Sequence, residues 1–226
     1  MSLDHTCIYC QGSLYHLSDG RVKCSTCKKK YSQKRVKKIT TLIACFSQNY
    51  NASQSAKKLN INYITVHKHY QQFRSLAAQH CEARYQEHRN NVSEYEEYNY
   101  LERSKRHRPE SVFDAHNFLT FDYGGQVYNI LMPSLQQYKE QFIEDQLESL
   151  YYKEFSKFMR RSKIIKISAR HNTITAFWDY FESFITQYKG VSDSYFAYYL
   201  KEAEFKFNHQ IDAQQSILKS LYFKEF

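Results

Sequence analysis

The sequence lacks any long run of apolar residues. Its apolar stretches are only a few residues long, such as 130–132, whereas a helix that crosses a bilayer needs about 20. The first residues also lack the basic and then apolar order of a signal peptide. We therefore expect a cytoplasmic protein without a membrane partner.

Internal repeats and low-complexity tracts are absent as well. The 226 residues leave room for one ordinary domain and one or two small modules. Six cysteines occur without an export signal, and this combination is more typical of free thiols and metal ligands than of a disulfide framework.

Acidic residues are scarce in the first part of the chain. Residues 1–90 contain 15 Lys/Arg and 4 Asp/Glu, an excess of 11 positive charges, whereas residues 91–226 contain 17 Lys/Arg and 19 Asp/Glu. A concentrated positive charge attracts the phosphates of nucleic acids, because each contact releases condensed counterions. Basic segments can also be solvated surface or bind acidic lipid, so charge alone does not decide the partner.

Three zones follow one another along the chain. Residues 1–35 are polar and contain four of the cysteines, residues 36–90 have a helical pattern, and residues 91–226 begin with strand-like segments. We predict a zinc ribbon at 1–35, a helix-turn-helix domain at 36–90 and a third domain at 91–226. The charged stretch 103–110, with the first proline, is predicted to be an exposed hairpin or loop.

Two Cys-x-x-Cys motifs, separated by thirteen residues, define the candidate metal ligands. They are Cys7 and Cys10, then Cys24 and Cys27. Each motif is typical of a tight turn that directs two sulfurs at one point, and two such turns complete a tetrahedral site for a structural Zn²⁺ ion. An iron–sulfur cluster uses the same ligands, and unrelated or redox-active thiol pairs are the alternative. Cys45 and Cys81 are interpreted as packing residues.

The segment 53–67 has the spacing of a helix-turn-helix. Ala56 lets two helices approach closely, Asn60 suits the left-handed turn between them, and Val66 packs the second helix on the first. Ser53 or Asn51 is predicted to cap the first helix and Asn62 the second. A helix at 36–47 would supply the third wall.

On this interpretation the second helix lies in the major groove of double-stranded DNA. Its inward side chains are Val66, Tyr70 and Phe73. Thr65 and Gln71 are predicted to read base edges, and the lysines to touch phosphates. The predicted DNA-contacting residues are Lys57, Lys58, Tyr63, Thr65, His67, Lys68 and Gln71. The alternative is a three-helix bundle without a nucleic-acid role.

The third zone has strand patterns followed by helix patterns. Strands are predicted at 93–101, 112–122 and 126–132, with a turn at Gly124-Gly125. The later predictions are a helix at 135–161, a strand at 163–168, and helices at 173–188, 193–208 and 213–223.

The last part of the chain resembles a known family. His171-Asn172-Thr173-Ile174 with Phe177-Trp178, then Gly190, then 199–208 (YLKEAEFKFN) resemble the end of the catalytic domain of certain bacterial insertion-sequence transposases. Those proteins begin with a zinc ribbon and a helix-turn-helix, in the order predicted here. The resemblance implies a ribonuclease-H-like domain that begins with three antiparallel strands.

Such enzymes cut and join DNA with two Mg²⁺ ions, which Mn²⁺ can replace, held by an Asp on the first strand, a second Asp and a late Glu or Asn. By resemblance Glu96 takes the first position, Asp145 or Glu148 the second, and Asn172 the third. We also expect the chain to form a homo-oligomer.

Together these observations predict a multi-domain α+β protein with a zinc ribbon, a helical helix-turn-helix domain and a small ribonuclease-H-like α/β domain with C-terminal helices. The predicted function is recognition of insertion-sequence ends, with metal-dependent strand transfer. The alternatives are a catalytically inactive DNA-binding protein, and an unrelated zinc-ribbon regulator whose aromatic C-terminal zone binds another protein.

Overall fold

The computed structural model describes residues 6–89, 94–102, 104–105, 109–134, 136, 172–188 and 191–224. Over these residues the protein is mixed α+β, with six α-helices and two three-stranded antiparallel sheets. The chain divides into two compact units. The first unit comprises Met1–Ala83 together with Thr186–Phe226, and the second comprises Arg84–Ile185.

The elements have the following bounds. The strands are β1 (Leu14–His16), β2 (Val22–Cys24), β3 (Lys30–Tyr31), β4 (Glu94–Tyr100), β5 (His116–Asp122) and β6 (Val127–Leu131). The helices are α1 (Gln33–Ser47), α2 (Ala52–Leu59), α3 (Tyr63–His88), α4 (Thr173–Ile185), α5 (Asp193–Asn208) and α6 (Ile211–Lys224), with a short 3₁₀ helix at Pro109–Asp114.

In the first unit, a small sheet leads directly into a helix. The sheet has the order β1-β2-β3, and one residue after β3 the hydroxyl of Ser32 accepts a hydrogen bond from the Arg35 backbone N–H at 3.3 Å. This N-cap satisfies a backbone donor that would otherwise lack a partner. Helix α1 therefore begins at Gln33, three residues before the predicted start, and follows the sheet without a flexible linker.

The core of the first unit joins distant parts of the sequence. α1 contributes Leu42 and Phe46, α3 contributes Val66 and Phe73, and the C-terminal helices contribute further buried side chains to the same cluster. The C-terminal members are Phe205, Leu218 and Tyr222. The C-terminal helices are therefore part of this core. Truncating one of these large core side chains typically costs about 3–5 kcal/mol.

The second unit contains the sheet β4-β5-β6. Gly124 and Gly125 have φ angles of 69° and 94°, and the Asp122 Oδ1 accepts a hydrogen bond from the Gly125 N–H at 2.6 Å. The predicted turn at this position is confirmed. Helix α4 packs on the sheet through buried Phe181, whose ring lies 5.8 Å from that of Phe118 on β5.

Several predicted element bounds differ from the observed ones. The strand predicted at 112–122 begins only at His116, because a 3₁₀ helix occupies Pro109–Asp114 and turns Phe113 inward. The helix predicted at 173–188 ends at Ile185, and that predicted at 213–223 extends over Ile211–Lys224. The helix at 135–161 and the strand at 163–168 fall outside the described residues, apart from Gln136.

The predicted domain boundaries near residues 35 and 90 stay a prediction. The first 83 residues and the C-terminal helices form one compact unit. Membership of one unit does not show which segments fold independently. None of the described helices is long and apolar enough to cross a membrane.

Candidate metal centre and helix-turn-helix

The four predicted cysteine ligands lie together at one end of the small sheet. Their Sγ atoms are all within 4.8 Å of one another, with Cys7 to Cys27 at 3.6 Å and Cys10 to Cys24 at 3.4 Å. Four sulfurs on a tetrahedron around zinc, each at 2.3 Å, are about 3.8 Å apart. All four cysteines are free thiols. The cluster could therefore hold a metal ion such as zinc.

Two similar turns present these sulfurs. The residue after the second cysteine of each motif has a left-handed backbone, with φ of 58° at Gln11 and 61° at Lys28. In the first turn the Tyr9 N–H donates to the Cys7 Sγ at 3.4 Å, and in the second the Thr26 N–H donates to the Cys24 Sγ at 3.3 Å. Backbone donors of this kind stabilise thiolates and orient metal ligands.

Two of the four cysteines have pKa values shifted in opposite directions. Burial raises the pKa of Cys24, but the backbone N–H groups of Cys27 and Thr26 outweigh it and lower that pKa to about 6. For Cys27 the Lys29 backbone N–H lowers the pKa, but burial and three neighbouring thiols raise it to about 12. A bound divalent cation would favour the thiolate form of both side chains.

The predicted turn between α2 and α3 is present. Asn60 adopts a left-handed conformation with φ 50° and ψ 48°, and the Ile61 N–H closes α2 by donating to the Ala56 carbonyl at 3.0 Å. Asn51 caps α2 and forms a reciprocal pair with Gln54, at 2.9 Å in both directions. Asn62 caps α3 by accepting from the Ile64 N–H at 2.8 Å. Of the two cap candidates for α2, the structure selects Asn51.

Helix α3 has one buried face and one accessible face. Val66, Tyr70 and Phe73 are fully buried, as predicted, and the Tyr70 hydroxyl is 2.6 Å from the Ser55 hydroxyl of α2. On the accessible face, Tyr63 and Lys68 are exposed, and the half-buried side chains are Thr65, His67 and Gln71. Lys57 and Lys58 are exposed on α2, with the Lys58 ammonium 4.0 Å from the centre of the Tyr50 ring.

Burial is the largest cause of the lowered pKa of His69 on α3, and a hydrogen bond with Gln72 opposes the shift. The positive charges of Lys38, Arg35 and Lys68 lower the pKa further.

The predicted catalytic residues are only partly described. Glu96 is exposed on β4. The Asn172 side chain accepts a hydrogen bond from the Thr175 N–H at 2.9 Å and so caps α4. Asp145 and Glu148 lie outside the described residues. Among the residues that are described, the four cysteines are the only group of three or more His, Cys, Asp or Glu side chains arranged to hold a metal.

Sequence reasoning missed a buried ionic cluster in the first unit. The Glu202 carboxylate accepts a hydrogen bond from Arg74 of α3 at 2.6 Å and another from Lys206 at 2.6 Å. The one signal in the sequence was the spacing of Glu202 and Lys206, which are four residues apart and therefore adjacent on a helix.

No family model, curated protein or solved structure matches this chain. The resemblance to insertion-sequence transposases therefore stays a prediction.

Proposed function

We propose that this protein binds double-stranded DNA through helix α3, with a structural zinc ion at the four cysteines. The observation that carries the proposal is the helix-turn-helix formed by α2, the left-handed Asn60 and α3. In such motifs the first turns of the second helix enter the major groove. The accessible side chains Thr65 and Gln71 have donors and acceptors that suit base edges.

Charge supports the proposal. The helices and turns around α3 have exposed lysines and arginines on several elements, and acidic side chains are few before residue 83. These exposed cations include Lys28, Lys29, Lys30, Lys34, Arg35, Lys37, Lys38, Lys57, Lys58 and Lys68. Phosphate contacts from such residues position a protein on DNA without reading sequence. By its resemblance, we propose that the target is the end of an insertion sequence.

The proposal is tested by titrating labelled duplex DNA with the full-length, zinc-loaded protein over a series of salt concentrations. We expect affinity to fall steeply as salt rises, because binding releases counterions. Lys68→Ala should weaken binding to all sequences alike and reduce the salt slope by about 1. Gln71→Ala should relax preference at one base pair by about 1–3 kcal/mol, measured by selection from a random duplex pool.

Lys105→Ala is the matched control, because this lysine pairs with Asp114 in the second unit at 3.3 Å. It should leave affinity and salt slope unchanged. If the wild-type protein ignores DNA at low salt, the proposed function is wrong.

Metal-dependent strand transfer is the second candidate function, and the register of β4 favours it. Glu96 pairs with Thr120, whose hydroxyl accepts a hydrogen bond from the Trp178 ring N–H of α4 at 2.9 Å. Directly paired residues share one face of a sheet, so Glu96 is on the face that α4 covers. Asn172 immediately precedes this helix. The third ligand would come from Asp145 or Glu148. A ribonuclease-H-like fold for residues 91–226 is part of this second proposal.

Nicking of duplex DNA in Mg²⁺ or Mn²⁺ tests this candidate. We expect weak cleavage, stronger with Mn²⁺, because Mg²⁺ demands near-ideal oxygen geometry and Glu replaces the shorter Asp. Glu96→Gln should abolish it. Glu97→Gln is the control, because the next residue of a strand lies on the opposite face. Equal activity of wild type and Glu96→Gln removes Glu96 from the site. Intact DNA binding with no nicking by the wild type favours the binding-only alternative.

A further inference from the structure

The face of α3 opposite the reading side chains is held by the C-terminal helices over three turns. His69 and Phe73 contact Tyr222 of α6, with the Phe73 and Tyr222 ring centres 5.7 Å apart. Two turns further on, the Nε2 atoms of His80 and His209 are 3.3 Å apart. These contacts give α3 a continuous support that comes from residues after 186.

Glu202 of α5 is the charged centre of this support. Its side chain is fully buried, and the side chains of Arg74 and Lys206 are only 4% and 2% exposed. The Arg74 guanidinium also lies over the Tyr199 ring at 4.1 Å, and the Lys206 ammonium lies over the Phe46 ring of α1 at 4.2 Å. The Glu202 carboxylate therefore links α5 to α3 through Arg74, and Lys206 extends this cluster to α1.

Two buried cations, Arg74 and Lys206, contact the same carboxylate. Burial raises the pKa of Glu202, but Lys206 and Arg74 outweigh it and hold that pKa below its usual value. Glu202 is thus the anion that makes both buried cations tolerable. Removing one partner from a buried ionic group is strongly destabilising, since it leaves uncompensated charge behind.

We propose that Glu202 is a positioning residue for DNA recognition, and that the C-terminal helices are part of the DNA-binding machinery. Glu202 holds Arg74, and through it the reading helix α3, in the orientation that presents Thr65, Lys68 and Gln71. This inference rests on the proposed DNA binding by α3. It extends the DNA-binding region to a segment more than a hundred residues away in sequence.

The test compares full-length, zinc-loaded Glu202→Gln with wild type for affinity, base preference and active fraction. We expect the folded fraction of Glu202→Gln to bind its preferred duplex roughly 2- to 30-fold more weakly, the range that remote coupled residues produce. Discrimination between preferred and random duplexes should shrink. A stoichiometric titration gives the active fraction separately, so loss of folded protein is not mistaken for weaker binding.

Asp212→Asn on α6 is the control. It also removes a carboxylate from the C-terminal helices, but Asp212 is exposed, so the change leaves the buried ionic cluster intact. This variant should keep wild-type base preference. A triple change of Arg74, Glu202 and Lys206 to Met removes all the charges together, and well-packed apolar replacements of buried ionic groups are often tolerated. It should recover much of the affinity lost in Glu202→Gln.

Two outcomes would overturn the inference while leaving DNA binding itself established. The first is wild-type affinity and base preference in the folded fraction of Glu202→Gln. The second outcome applies if Glu202→Gln does not fold. In that case, the inference is overturned by a triple variant that folds but binds the preferred duplex no more tightly than a random-sequence duplex. If the wild-type protein binds no DNA at all, the proposed function fails rather than this inference.

Discussion

Gly12 shows how little space the metal centre leaves. It lies two residues after Cys10, against the second cysteine turn. A Cβ atom at this position would overlap the Thr26 hydroxyl and lie 3.0 Å from the Thr26 Cβ and 3.2 Å from the Cys24 Sγ. The hydroxyl can rotate away, but the tight contact with the Thr26 Cβ also requires a shift of the second turn, which would change the sulfur geometry.

We therefore expect Gly12→Ala to weaken metal retention. Wild-type protein should contain about one zinc ion per chain, as a closed four-thiolate site requires, and Gly12→Ala should release it faster to a chelator with a lower melting temperature. Atomic emission measures the zinc content, and a chromogenic chelator measures the rate of zinc release.

Two further variants give a mild and a severe change for comparison with Gly12→Ala. Gly20→Ala also places a side chain on glycine, but nothing lies within 4 Å of its Cβ. Its φ of +75° limits the cost to backbone strain of about 1–2 kcal/mol, and zinc release should stay slow. Cys24→Ser should lose the metal and unfold the small sheet. Zinc retention by Gly12→Ala equal to wild type would contradict the close contact.

At the scale of elements, the turn between α2 and α3 depends on one left-handed residue. Asn60→Ala should destabilise the protein by about 1 kcal/mol, because a Cβ disfavours this conformation, whereas Asn60→Gly should be neutral or stabilising. Thermal unfolding compared at equal zinc loading measures the difference. DNA affinity at a temperature where all variants are folded should change little, since Asn60 only shapes the turn. If alanine proves as stable as glycine, the left-handed assignment is wrong.

This turn was predictable because its signals are local. Asn51, Asn60 and Asn62 act on backbone groups within four residues, and the four cysteines act through two short turns of the same kind. The 3₁₀ helix at Pro109–Asp114 was not predicted, because Val112 and Phe113 have the β-branched and aromatic character of a strand.

The burial of Glu202 was not predictable either. Charged side chains on a helix usually indicate a solvated face, but Glu202 is buried against Lys206 and against Arg74, which lies 128 residues away in sequence. Periodicity describes which positions share a face, but it does not identify the partner that neutralises a charge. The partners that the resemblance assigns to Glu96 (Asp145 or Glu148) are likewise distant in sequence, and local patterns do not place them.

At the scale of the molecule, the chain leaves the first unit at Ala83 and returns to it at Thr186. The second unit is thus an insertion in sequence that begins near the end of α3 and precedes the C-terminal helices. The positive charge of residues 1–90 is concentrated on the N-terminal side of that insertion. Under the proposed function, the N-terminal part would attract DNA and the C-terminal helices would align α3.

This order of segments has a consequence for protein synthesis. Chains are made from the N-terminus at about 5–20 residues per second, so the 102 residues between Ala83 and Thr186 delay the C-terminal helices by roughly 5 to 20 seconds. During that interval the carboxylate of Glu202 is not yet available to Arg74, and the core around Phe73 is incomplete. Under the proposed function, the growing chain has the basic residues of the DNA-contacting surface before α3 has its full support. We therefore expect selective recognition of DNA only from the finished molecule.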